Sequence, residues 1–178
     1  MQTTDATVAD RSNRQSAETV GKTAGKTAQE TTDRQRWLAT LAKASREELE
    51  ALVPDWLEEL TWRYLRPPEV GMVMLRGRTG GDGAPFNLGE TSVTRCALHL
   101  DHDGRQLVGH GYVLGRDKRH AQLVALLDAL LQHPGETDRL ASRVVAPLAA
   151  MQETLRKRQA SKANATKVNF FTLVRGDS

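Results

Sequence analysis

The 178-residue chain holds a single cysteine, Cys96. That excludes an internal disulfide framework, and one thiolate cannot supply a zinc or iron-sulfur cluster. A reducing compartment suits this usage. Aromatic residues make up only 4% of the chain, too few for the stacking platforms on which single-strand nucleic-acid binders rest bases. No apolar core of a signal peptide opens the sequence, and the longest apolar run is broken by Asp128 before it could cross a bilayer. The chain is therefore expected in the cytoplasm, with neither membrane nor nucleic acid as partner. Gly21 to Thr27 resembles a phosphate-binding loop, but its first glycine lies one residue too close to Gly25-Lys26-Thr27 and no strand precedes it. No nucleophile, base and orienting group occur together, and no spaced set of metal ligands is present, so neither catalytic nor metal residues are assigned.

What is there suits one globular domain. Hydrophobic residues form 39% and charged residues 26% of the chain, and the formal net charge is +3. This length permits a real core, and the mild basicity is compatible with anionic ligands. Residues 1–31 have no apolar periodicity and are expected to form a flexible tail; residues 32–178 form the domain. From Asp33, the apolar positions Trp37, Leu38, Leu41 and Ala42 mark an amphipathic helix. Ser45-Arg46-Glu47-Glu48 is a capping box that starts a second helix, which Pro54 ends.

Strands are expected at Thr61 to Leu65 and Val70 to Arg78, either side of a turn at Pro67-Pro68. A glycine-rich loop from Thr79 to Pro85 leads to the strands Thr91 to Leu100 and Arg105 to Leu114. Their hairpin turns at Asp103-Gly104. A two-residue turn there sets Cys96 opposite Gly111, Leu98 opposite Gly109 and Leu100 opposite Leu107, a face smooth enough for close helix packing. The other face gathers Arg95, Ala97 and His99 beside Val108, His110 and Tyr112. Its two histidines fall short of the three protein ligands a metal centre needs. Helices are expected from Glu136 to Val145 and from Leu148 to Arg158, divided by Pro147, with Leu148, Met151 and Leu155 on the second one's apolar face. A last strand, Thr166 to Val174, is apolar on both sides. The sum is an α+β single domain whose antiparallel sheet has about five to six strands packed with several helices.

The chemistry concentrates at Gly115 to Gln132. Asp117 is a good N-cap, and Leu123, Leu126, Leu127, Leu130 and Leu131 recur at helical spacing. Arg116, Lys118 and Arg119 crowd a helix N-terminus that is already partially positive, which suits an anion or an acidic partner surface opposite. A solvated surface accounts for the same cations more plainly. His120 falls among the leucines, where a hydrogen-bonded core role fits better than a general base. Ala121, Ala125 and Ala129 form a smooth second strip, so the helix should have two packing partners. The candidate anion- or partner-binding set is Arg116, Lys118, Arg119, His120 and Arg95.

Two segments carry a family resemblance. Gly115-Arg116-Asp117-Lys118-Arg119-His120-Ala121 with Leu127-Asp128-Ala129-Leu130, together with Val168-Asn169-Phe170-Phe171-Thr172-Leu173-Val174-Arg175-Gly176-Asp177, resembles the PhnG family of the bacterial carbon-phosphorus lyase system. The resemblance spans about residues 33–178. It implies a core complex with PhnI, PhnH and PhnJ, joined transiently by the ATP-binding subunits PhnL and PhnK. With PhnI, PhnH and PhnL, such a subunit supports attack of a phosphonate on the ribose of ATP, releasing adenine and giving ribose 1-phosphonate 5-triphosphate. ATP and phosphonate are then substrates of the complex, this chain carries no cofactor, and the catalytic residues lie on other subunits. The competing reading is an independent phosphate- or phosphonate-binding module.

Overall fold

Asp103 and Gly104 adopt left-handed φ values of 46° and 72°, closing a two-residue turn between the paired His102 and Arg105. That turn type matches the twist of the flanking strands, and it sets the register of everything beside it. Cys96 pairs with Gly111, Leu98 with Gly109 and Leu100 with Leu107, as expected. The computed structural model describes residues 28–79 and 82–166. The chain divides into two units, residues 1–33 and 34–178, and the architecture below is that of the second.

The described elements run α1 (Ala28–Lys43), α2 (Arg46–Leu52), a 3-10 turn (Asp55–Glu59), β1 (Trp62–Arg78), β2 (Pro85–His102), β3 (Arg105–Leu114), α3 (Lys118–Leu130), α4 (Pro134–Leu140), a π turn (Ala141–Val145) and α5 (Ala146–Ala165). The strands form one antiparallel sheet in the order β1-β2-β3.

Helix α3 is the centre of the core. A Cβ on Gly109 would overlap the Ala125 carbonyl oxygen, and one on Gly111 that of Ala121, so backbone lies directly on backbone along the alanine strip. Leu123, Leu127 and Leu130 are buried, in a core that also holds Leu41, Leu49, Leu57, Leu140 and Leu148. Each such leucine contributes about 1.5–3 kcal/mol of apolar burial. Besides β3 and β2, the helix touches α2 and α4, the double packing its two apolar strips called for. Asp128, the residue that broke the apolar run, is fully buried here. Its carboxylate accepts from Arg34 Nη2 at 2.6 Å and Nε at 3.0 Å, from Trp37 Nε1 at 3.1 Å and from the His110 amide at 2.9 Å.

Several expectations need correction. The sheet has three strands among the described residues, not five to six. Pro67-Pro68 makes no turn: the chain runs straight through as one strand, β1, with register shifts at Tyr64/Arg66 and Arg66/Glu69. Proline is tolerated there because β1 is an edge strand and the irregular register leaves the missing N–H groups without a ladder to break. Pro147 does not separate two helices either. A π turn at Ala141–Val145 widens the backbone ahead of it, and the proline sits in the first turn of α5, where its missing N–H costs little. On α5 only Leu148 is buried, while Met151 and Leu155 are exposed. Helix α1 starts at Ala28, five residues before Asp33. Residues 28–31, expected in a flexible tail over 1–31, are thus helical; residues 1–27 of that tail and residues 167–174 of the strand expected at Thr166 to Val174 fall outside the described residues. The Ser45 capping box forms as read, with Glu48 N–H donating to Ser45 Oγ at 3.2 Å and Ser45 N–H to Glu48 Oε2 at 2.8 Å.

Candidate functional site

The cationic corner begins where β3 ends. Gly115, at φ 96°, turns the chain out of the sheet; its N–H donates to Ser92 O at 2.9 Å, and Thr94 Oγ1 donates to its carbonyl at 2.9 Å. These two bonds fix the entry of α3, and Asp117 Oδ1 caps the helix by accepting the His120 amide at 2.9 Å. Arg116 and Lys118 are exposed. Neither has an ion-pair partner among the described residues, whereas Arg119 Nε lies 3.7 Å from Glu50 Oε1 on α2. Arg46 Nε approaches Asp117 Oδ2 at 3.8 Å. Part of the positive charge at this helix end is thus offset within the chain, and the part on Arg116 and Lys118 faces outward.

His120 is buried, and its Nε2 donates to the Leu41 carbonyl at 3.1 Å. A ring nitrogen committed to a backbone carbonyl ties α3 to α1 and is poorly placed to move a substrate proton. Arg95 lies on the sheet, where its Nε donates to Glu69 Oε1 at 2.6 Å beside Arg66 Nη1 at 2.9 Å. The Arg95 hydrogen bond, with both guanidinium charges, holds the Glu69 carboxyl below the usual carboxylate range. Arg116, Lys118, Arg119 and His120 therefore share one corner, while Arg95 is engaged with a carboxylate of β1.

Arg116 also belongs to a larger surface. With Val70, Gly71, Met72 and Ser92 it lines an open cavity of about 440 Å³. That cavity is the base of a two-stranded ribbon in which β1 from Val70 to Arg78 pairs with β2 from Thr94 back to Pro85, while β3 pairs with β2 only from Val93 onward. Met72 and Met74 stand on one face of the ribbon, Val73 and Leu75 on the other, with Phe86 and Leu88 toward the tip. All six are exposed, from 40% for Val73 to 62% for Met72. Two strands alone are at best marginally stable in water, and a ribbon apolar on both faces has hydrophobic surface that nothing in the described fold covers.

The family model described as "Phosphonate metabolism protein PhnG" matches residues 32–176. The chain belongs to the PhnG family. A relative from Rhizobium meliloti (strain 1021), named "Alpha-D-ribose 1-methylphosphonate 5-triphosphate synthase subunit PhnG", is 45% identical over 116 residues, which are 64% of this chain and 70% of that one. The residues matched by the family model contain both the corner and the ribbon, so these are features of a PhnG-family domain.

Sequence reasoning missed two places. Asp128 interrupts an apolar run and belongs to the family motif, and an acidic residue inside a leucine-rich helix also signals a buried partner, here Arg34. His102, Asp103 and His133 converge although 30 residues separate the two histidines, and no motif links them. Among the described residues no helix is long and apolar enough to cross a membrane. Cys96 is buried in the β2 face under α3, and burial pushes its thiol up to about 11.

Proposed function

We propose that this chain is a non-catalytic, accessory subunit of a cytoplasmic carbon-phosphorus lyase core complex, assembled with PhnI-, PhnH- and PhnJ-type subunits. With PhnI, PhnH and the ATP-binding PhnL, it supports transfer of a phosphonate to the ribose of ATP with release of adenine, giving ribose 1-phosphonate 5-triphosphate. The relative's name as a synthase subunit supports this reading. The single observation that carries it is the ribbon: Met72, Val73, Met74, Leu75, Phe86 and Leu88 expose apolar surface on both faces, the condition of an element whose second layer comes from another chain. The outward cation Arg116 lies at the ribbon's base, and with the exposed Lys118 it suits carboxylates on that chain or the phosphates of a substrate held between subunits.

Co-expression of the full chain with the partner subunits, followed by size-exclusion chromatography, tests this. The wild type should co-elute with them, and should self-associate when expressed alone. Met72→Glu/Met74→Glu should abolish co-elution while leaving the far-ultraviolet spectrum unchanged. Arg116→Ala/Lys118→Ala separates the two roles of the corner: weaker assembly, rescued by raising subunit concentration, marks a partner contact, whereas intact assembly with a raised KM or lowered turnover marks a substrate contact. A stable monomer that binds a phosphonate unaided would establish the independent-module reading and defeat this one.

A further inference from the structure

The Asp103-Gly104 turn and the first turn of α4 meet at a cluster the cationic corner does not touch. One ligand atom from each of His102, Asp103 and His133 lies within 4.8 Å of the other two. His102 Nε2 is 3.8 Å from Asp103 Oδ2 and 3.9 Å from Glu136 Oε1. His102 is largely buried, and so is Glu136; the His102 Nε2 and Glu136 Oε2 atoms are both buried without a hydrogen-bond partner among the described residues, as is Trp56 Nε1. These three residues line one open cavity of about 360 Å³. Buried polar atoms left unbonded are rare, and three around one cavity call for an occupant. An anion is a poor match, because Glu59 and Glu136 line the cavity against the single cation Arg139, and the Asp103 carboxylate stands 3.8 Å from His102 Nε2.

We propose that this cluster is a divalent transition-metal site, with His102 Nε2, the Asp103 carboxylate and the His133 imidazole as ligands and the Glu136 carboxylate beside them. Two imidazoles with carboxylates are the donor set of zinc. Ligand atoms about 2.0–2.2 Å from zinc sit about 3.4 Å apart in a tetrahedron, so His102 and Asp103 at 3.8 Å need a closure of about half an ångström, and the contacts within the 4.8 Å limit that involve His133 need at most about 1.4 Å. Asp103 can supply the first, being at an exposed hairpin tip. The surroundings orient the ligands. The Trp56 ring lies nearly parallel to that of His102, at 12° with centroids 6.4 Å apart, and Arg139 Nη1 stands 3.8 Å from Glu136 Oε2. Trp56 Nε1–H, a donor only, is suited to a metal-bound water.

His133 supplies a signature. Its Nδ1 accepts the Gly135 N–H at 3.2 Å, which leaves the ring proton on Nε2. Ligation through Nε2 moves that proton to Nδ1, and ligation through Nδ1 occupies its lone pair. Either way the Gly135 hydrogen bond is exchanged.

The tag-free full chain, stripped with chelator, is titrated with Zn²⁺ followed by elemental analysis, and with Co²⁺ followed by its visible absorption. One ion per chain is expected, with a tetrahedral Co²⁺ spectrum and displacement of the Gly135 amide resonance by Zn²⁺. Asp103→Asn keeps a residue that tolerates positive φ and so preserves the turn; it and His102→Gln should each weaken binding by about tenfold or more. His99→Gln, on another part of the sheet, should bind as the wild type does. Failure of the wild type to retain an ion, an unmoved Gly135 resonance, or undiminished binding by the folded Asp103→Asn chain would overturn the proposal.

Discussion

Replacing Asp128 with alanine should be among the most damaging single changes in this protein. Its carboxylate is fully buried and receives four donors, two from Arg34 and one each from Trp37 and the His110 backbone. Removing one partner of a buried ion pair costs about 3–5 kcal/mol, because the other charge is left uncompensated. Arg34 keeps 22% of its side chain exposed and can recover some water, which favours the lower end of that range. The Trp37 Nε1–H and the His110 N–H also lose their acceptor, at about 1–3 kcal/mol each where water does not replace it. A net loss of about 3–4 kcal/mol follows, a large share of the stability of a domain this size. Arg34→Met should cost a similar amount, since it leaves the fully buried Asp128 carboxylate without its counter-ion, offset only by the two N–H donors that remain. The two changes together should fall short of their sum by about 1–3 kcal/mol if the groups act as one unit. Urea unfolding of the full chain, followed by tryptophan fluorescence at concentrations where the curves superimpose, measures all three. A loss below about 1 kcal/mol for Asp128→Ala, or strict additivity, would refute the account.

The seam between α3 and β3 should be equally intolerant of bulk. Gly111→Ala pushes a methyl into the Ala121 carbonyl and should cost about 3 kcal/mol or more, whereas Gly71→Ala, with nothing within 4 Å of the new atom, should change the urea midpoint little. Cys96 should resist alkylation in the folded chain at neutral pH and react on unfolding. Its thiol is raised to about 11 in the fold against about 8.5 in the unfolded chain. The unfolded state therefore loses its proton first, and stability should fall as pH rises from about 8.5 toward 11, by at most about 1.4 kcal/mol per pH unit. Cys96→Ala should remove that component, and an unchanged pH slope in the variant would show the thiol is not its source.

What the sequence made legible was written in short-range chemistry. Asp103-Gly104 can hardly do anything but close a tight hairpin, and the turn then dictated which residues of β2 and β3 face each other, down to the Gly109 and Gly111 seam. The Ser45 box and the Asp117 cap are decided within three residues, and both formed. Where local signals pointed wrongly, tertiary placement overruled them. Pro67-Pro68 is a turn signal unless the strand lies at a sheet edge, and Pro147 ends a helix unless a wider turn precedes it. Those facts are not contained in the neighbouring residues. Splitting β1 at the prolines inflated the strand count. The candidate corner was found from its cations, since their proximity follows from adjacency in the chain. That Arg119 would answer to Glu50, that Arg95 would be taken up by Glu69, and that His102 would meet His133 depended on how distant elements pack.

The two prolines in β1 bear on how a protein with so much open strand avoids pairing with itself edge to edge. The edge of a sheet offers a row of unsatisfied N–H and C=O groups on which another strand can template. Pro67 and Pro68 supply two positions with no donor, between Arg66 paired with Ala97 and Glu69 paired with Arg95. The border of β1 is thus cut into one short piece ending at Arg66 and one longer piece beginning at Glu69, with a kink of register between. An incoming strand that matched one piece would be out of step with the other. Copies of this chain are consequently discouraged from zipping edge to edge along the whole of β1, even while the side-chain faces of the ribbon stay available to a different surface.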